Sequence, residues 1–257
     1  MRDFHSHSNY SDGEVLWSMV QAAQEAGLDG VGIADHCQLP ESDSLRDSRA
    51  ALGHTLDVTY ERRRRGIETV REESSIAVYD AVEMDYATHQ EDRIAEFLDV
   101  AGFDYVIGSV HAVEDRPIQY PPNFADDTEA ELEAVVDEYF EQLTAMIDSG
   151  LFDIVAHPDL VERNPHLRGR ASTEHYERVA DALANARAVP ELNAGRALRE
   201  TGQLHPTTEF VAVLREHGVA FTIGTDSHHP GEYAPRMEFL RSVRDDTGVP
   251  TVTPPSL

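Results

Sequence analysis

Seven short apolar runs recur along the chain: "DFHSH" (3–7), "GVGIADH" (30–36), "IAVYDAVEMDY" (76–86), "YVIGSVH" (105–111), "DIVAHPD" (153–159), "VPELN" (189–193) and "AFTIGTDSH" (220–228). Several are Val/Ile-rich and as short as strands buried on both faces, the kind that parallel sheets contain. Helical periodicity fills gaps between them. "EVLWSMVQAAQEAGLD" sets Leu16, Met19, Val20, Ala23 and Ala26 near a 3.6-residue period and stops at Gly27. "TEAELEAVVDEYFEQLTAMIDSG" stops likewise at Gly150, and "TEHYERVADALANAR" and "TEFVAVLREHG" follow the same pattern. Strands alternating with helices need crossover connections, so the chain reads as α/β with a parallel sheet. No shift of composition marks a boundary, and 257 residues suit one barrel-sized unit, so residues 1–257 read as a single domain. Segment 112–126, with three prolines, reads as a loop, 38–56 as an irregular polar lid, and 250–257 as a loose end.

Charge narrows the partners. There are 48 acidic residues against 21 basic ones, all of them arginine, for a formal net charge of -27. Nucleic-acid affinity depends on basic groups that release counterions, so such a surface points away from nucleic acid and toward a small substrate. The acids are spread along the whole chain, which argues against a dedicated acidic docking segment. The composition resembles that of proteins from salt-loving archaea, where molar salt screens this self-repulsion. No run of 18 apolar residues occurs, no signal-peptide stretch precedes the first run, and the single cysteine, Cys37, has no partner for an internal disulfide. The expectation is a cytoplasmic protein without membrane contact.

The 13 histidines are not scattered. His5 and His7, two apart, leave the same face of the first strand. The second run ends in His36, the fourth in His111, the fifth carries His157, and the last carries Asp226 and His228. The third carries an acid, Glu83, expected to face inward. In α/β barrels the carboxyl ends of the strands form the active-site face. A lone histidine there is more often a satisfied core residue or a turn cap; six at strand ends on one face reverse that reading. Imidazole with carboxylate suits Zn, Fe and Mn, and this set exceeds what one ion needs. Asn193, Asp35 and Asp159 adjoin these residues and read as groups that orient ligand imidazoles through the far nitrogen. His54, His89, His166, His175, His205 and His217 fall in helices or loops and read as structural, and His229 as pointing away.

"DFHSHSNYSDG", "ADH", "GSVH", "AHPD" and "GTDSH" together resemble the ordered motif set of the PHP (polymerase and histidinol phosphatase) superfamily, from Asp3 to about Pro230. "YVIGSVH" and "DIVAHPDLV" resemble its stand-alone histidinol-phosphate phosphatases. The resemblance implies a distorted (β/α)7, TIM-like barrel and two to three divalent metal ions (Zn, Mn or Fe). One ion would be held by His5, His7, Glu83 and Asp226. A second would share Glu83 and add His111 and His157. A third would use His36, His228 and Asp12, although many histidinol phosphatases have a histidine near the place of Asp12, and Asp-Gly is also an ordinary turn signal.

Such a cluster activates water and clamps phosphate oxygens, so a hydroxide shared by two ions is the expected nucleophile and phosphomonoester hydrolysis the expected reaction. His5, His7, Glu83 and Asp226 are then the catalytic set. Phosphate oxygens call for arginine, whose planar fork binds two at once. Arg163 follows "HPDLVE", and Arg196 follows "ELNAG" with Arg199 close behind. Glu191, Glu114 and Asp115 are candidates for the amine of a histidinol substrate. The expected substrate is L-histidinol phosphate, with a nucleotide phosphate or another small phosphomonoester as the alternative.

Overall fold

All seven runs contribute strands to one curled sheet in the computed structural model, which describes residues 1–39, 43–200 and 202–257. The strands are β1 (Arg2–Ser6), β2 (Gly30–Cys37), β3 (Ala77–Asp85), β4 (Tyr105–Ser109), β5 (Ala112–Val113), β6 (Arg116–Pro117), β7 (Ile154–Val155), β8 (Val189–Arg196), β9 (Gln203–His205) and β10 (Thr222–Gly224). The helices are α1 (Leu16–Glu25), α2 (Asp43–Leu52), α3 (Leu56–Glu73), α4 (Glu91–Ala101), α5 (Glu129–Asp148), α6 (Thr173–Asn185), α7 (Thr208–Glu216) and α8 (Tyr233–Thr247). The sheet runs β1-β2-β3-β4-β7-β8-β10 with every neighbouring pair parallel. Its two ends meet. The Asp226 N–H donates to the His5 carbonyl at 2.7 Å and the His7 N–H to the Ser227 carbonyl at 2.9 Å. These bonds close the distorted seven-stranded barrel that the motif resemblance implies.

The barrel interior is filled rather than hollow, by Phe4, Ala34, Ala81, Tyr105, Ile107, Ile154 and Ala156. The Tyr105 ring stands edge-on to Phe4, and its hydroxyl donates to the Phe4 carbonyl at 2.6 Å. Gly32 makes room for that hydroxyl: a Cβ there would lie 1.6 Å from it. Burying such side chains contributes about 1.5–3 kcal/mol apiece. The interior plug leaves only the carboxyl ends of the strands open for chemistry.

Three expectations need correction. The segment 38–56 is not irregular throughout, since α2 occupies Asp43–Leu52; residues 40–42 lie outside the described residues. The segment 112–126 holds an antiparallel hairpin, β5 with β6, whose turn residues Glu114 and Asp115 take positive φ. The tail is tied down: Phe221 and Val252 exchange backbone bonds with it at 2.9 and 2.8 Å, and Ser256 donates to Asp153 at 2.6 Å. Two runs also yield shorter strands than their apolar lengths suggest. β7 and β10 stop early because the chain bends at His157 (φ 24°) and Asp226 (φ 52°).

Candidate metal centre

Glu83 lies near the end of β3, 1% exposed, and five imidazoles face its two oxygens. On Oε2 are His36 Nδ1 at 2.9 Å, His5 Nε2 at 3.1 Å and His7 Nε2 at 3.5 Å. On Oε1 are His157 Nε2 at 3.1 Å and His111 Nε2 at 3.4 Å. Parallel strands explain the convergence, since β2 and β3 run in register with His36 opposite Glu83. His157 and Asp226 arrive from the bends after β7 and β10. Positive φ in a residue with a Cβ costs about 1–3 kcal/mol, a strain that persists where the surroundings enforce it.

Asp226 Oδ1 lies 3.4 Å from His7 Nε2 and 3.7 Å from His228 Nδ1. Asp12 Oδ2 lies 3.3 Å from His228 Nε2, and Oδ1 lies 3.9 Å from both His7 Nδ1 and His36 Nε2. The structure thus gathers all nine residues of the candidate ligand set. Three groups have donor atoms within 4.8 Å of one another: His7 with Asp12, His36 and His228; His5 with His7 and Glu83; and His36 with Glu83 and His111. His7 therefore bridges two groups, with Nε2 on the Glu83 side and Nδ1 toward Asp12.

Electrostatics favour cations here. Burial opposes the charged form of His36 most strongly, yet the Glu83 carboxylate outweighs it and lifts the imidazole to about 10. His5 is raised against the same burial by Glu191 and Glu83. His7 goes the other way, down to about 4, through burial and then its cationic neighbours His228 and His36. Burial also takes His157 to about 4. Both carboxylates, Glu83 and Asp226, are held well below their usual range by these histidines despite burial. Buried nitrogens of His7 (both), His36 (Nδ1) and His157 (Nδ1) make no hydrogen bond among the described residues. Polar atoms left this way are costly in a protein interior, and neutral imidazole beside carboxylate is the donor set of a divalent transition metal. The residues fit such ions.

The supporting groups differ from the expected ones. His5 Nδ1 meets Glu191 Oε2 at 2.9 Å, and His111 Nδ1 meets Asp85 Oδ1 at 2.6 Å. Glu191 is 1% exposed and engaged by His5, the His157 N–H and Asn193, so it is not free to meet a substrate amine. Asn193 touches no imidazole; its Nδ2 donates to Glu191 and Asp226 at 2.8 and 3.3 Å. Asp35 takes the Ser8 N–H and hydroxyl and the Ser11 hydroxyl, fixing the loop that carries Asp12. Asp159 holds His205, not a candidate ligand. Sequence reasoning missed Asp85, although its place two residues after Glu83, on the same strand face, was a usable signal. His54, read as structural, stacks on His36 with 4.5 Å between ring centres and lines the cavity above the cluster.

That cavity, about 430 Å³, is acidic and imidazole-lined on its floor and carries Arg163, Arg196 and Arg199 on one wall. Arg196 and Arg199 have no carboxylate partner within ion-pair distance among the described residues. Arg163 reaches Asp226 Oδ2 with Nη2 at 3.3 Å. The cavity can therefore take an anion beside clustered cations.

The PHP domain family model matches residues 3–195. A protein named "Probable histidinol-phosphatase" from Deinococcus radiodurans is 28% identical over 91% of this chain and 87% of its own length. The histidinol-phosphatase of Bacillus subtilis is 24% identical over 90% of this chain and 94% of its own. A crystal structure of histidinol phosphate phosphatase from Lactococcus lactis, complexed with Zn, L-histidinol and phosphate, superposes with a TM-score of 0.79 at 21% identity, covering 98% of this chain and 95% of that one. The family match spans well over half of the sequence and every element from β1 to β8, and on it the chain belongs to the PHP domain family.

Proposed function

We propose that this chain, as one domain over residues 1–257, is a metal-dependent histidinol-phosphate phosphatase that converts L-histidinol phosphate and water to L-histidinol and phosphate. The observation that carries the reading is one buried carboxylate, Glu83, faced by five imidazoles beneath a cavity with three arginines on its wall. The names of the relatives, the Zn-containing Lactococcus complex and coverage of nearly the whole chain support the substrate.

His5, His7, Glu83 and Asp226 would hold one divalent ion, His111 and His157 with Glu83 a second, and His36, His228 and Asp12 a third, with Zn or Mn as the ions of choice. Bound ions of this kind supply a water acidic enough to react at neutral pH and neutralise charge on the phosphate oxygens. The chain's own residues do the rest. Glu191 and Asp85 hold His5 and His111 in the tautomer that presents Nε2 to the cup. Arg163 and Arg196 meet the outer phosphate oxygens through charge-assisted hydrogen bonds, compensating a dianion inside a strongly acidic protein.

The test is a steady-state assay of the full chain with Mn or Zn in high salt. Histidinol phosphate is compared with p-nitrophenyl phosphate, nucleoside monophosphates and a 3′,5′-bisphosphate. The expected result is a kcat/KM for histidinol phosphate at least about tenfold above the others, the scale of one well-made polar discrimination. Equal turnover across the panel, or preference for the bisphosphate, removes the substrate assignment.

A further inference from the structure

Asp159 and His205 are both fully buried next to the cavity wall. The His205 Nδ1–H donates to Asp159 Oδ1 at 2.6 Å, and the other carboxylate oxygen accepts the Thr207 N–H at 2.6 Å. With Nδ1 committed as a donor, the neutral ring presents Nε2 as an acceptor. That nitrogen receives the Arg163 Nε–H at 3.2 Å. Arg163 gives Nη2 to Asp226 at 3.3 Å, and its Nη1 has no partner among the described residues while the side chain lines the cavity.

The strand that carries His205 serves no barrel pairing. β9 lies outside the parallel path and pairs antiparallel with β8, His205 opposite Asn193. This places the ring under the short 3₁₀ turn Leu160–Arg163 that ends in the arginine. A free arginine samples many rotamers. Contacts to Nε and Nη2 from two different elements fix both the plane and the direction of the guanidinium, the requirement for two-point recognition of a phosphate. Arg196 and Arg199 on the same wall lack such a support among the described residues.

We propose that His205, oriented by Asp159, is a positioning residue that aims the Arg163 guanidinium at the phosphate of a substrate in the cavity. The inference rests on the phosphatase reading above. Two near-isosteric changes separate it from a packing role. His205→Asn keeps a donor for Asp159 near the Nδ1 position and has no atom that reaches Arg163. His205→Gln offers an acceptor near the Nε2 position and gives up Asp159. The full metal-loaded chain is assayed for inhibition by inorganic phosphate, for KM and kcat, and for melting temperature.

The expected result for H205N is inhibition by phosphate weakened about tenfold, with KM changed more than kcat, the size of one charge-assisted bond misplaced. H205Q recovers most of that loss even if it melts lower. In an Arg163→Ala background, H205N changes the phosphate constant by less than about twofold, as residues acting through one another are non-additive. The proposal is overturned if phosphate inhibition in H205N stays as in the parent, if H205Q is no better than H205N, or if the effects of H205N and R163A add. Should the parent hydrolyse p-nitrophenyl phosphate but not histidinol phosphate, the substrate assignment falls while the phosphate constants still decide the role of His205.

Discussion

The candidate centre depends on carboxylates that never face the cavity directly as well as on those that do. Glu191 holds His5 from behind at 2.9 Å and also takes the His157 N–H at 2.9 Å, so one side chain positions donors from two strands. Glu191→Gln is expected to cost about 10–100-fold in metal affinity or activity while the chain stays folded. Metal titration of the variant beside the parent checks this, and equal affinities would refute it. Protonation sets a second expectation. With Glu83 holding His36 up to about 10, the metal-free protein keeps that imidazole charged at neutral pH. A metal needs its lone pair, so binding must expel the proton, and apparent affinity must rise with pH between about 6 and 8. Calorimetry in buffers of different ionisation enthalpy reads the protons released per ion; zero release contradicts the electrostatics described above.

At the scale of elements, α3 shows how a buried charge can hide a helix from sequence reading. Its stretch "LDVTYERRRRGIETVREE" looks too polar for a core-facing stripe. One of its four consecutive arginines, Arg63, is fully buried, donating to Asp35 at 3.0 Å and to Asp80. The partner Asp35 anchors Ser8 and Ser11, and through them the loop of Asp12. Arg63→Met should therefore destabilise the fold by about 3–5 kcal/mol, because Asp35 is left charged and unpaired in the interior. Denaturant unfolding measures it, and a loss under about 1 kcal/mol would show that the pair is dispensable. Strands and site were more legible. The apolar runs located every barrel strand, and histidines at their ends located the cup, because both signals lie in local order along the chain. The tail, β9 and the hairpin were not legible, since each is held by partners distant in sequence. For the same reason the sequence pointed to Asp159 and Asn193 as residues near the site but not to which side chains they hold.

For the molecule as a whole, charge is the dominant quantity. A formal net charge of -27 on 257 residues places like charges close together over the surface. Raising ionic strength from about 0.1 to 1 M shortens the screening length from about 10 to 3 Å, which relieves repulsion in the folded state more than in the expanded chain. The melting temperature is expected to rise across that range in a simple salt such as KCl, and a flat or falling profile would contradict it. Closure of the barrel has a further consequence for how the molecule comes into being. Donors at positions 5 and 7 wait for partners at 226 and 228, and the seam that joins them is the last to be paired. A nascent chain halted before β10 carries half a cup and an unclosed edge, so tight cation capture belongs to the end of synthesis. Metal then acts as a clasp between the first and last segments to leave the ribosome, rewarding only the finished protein.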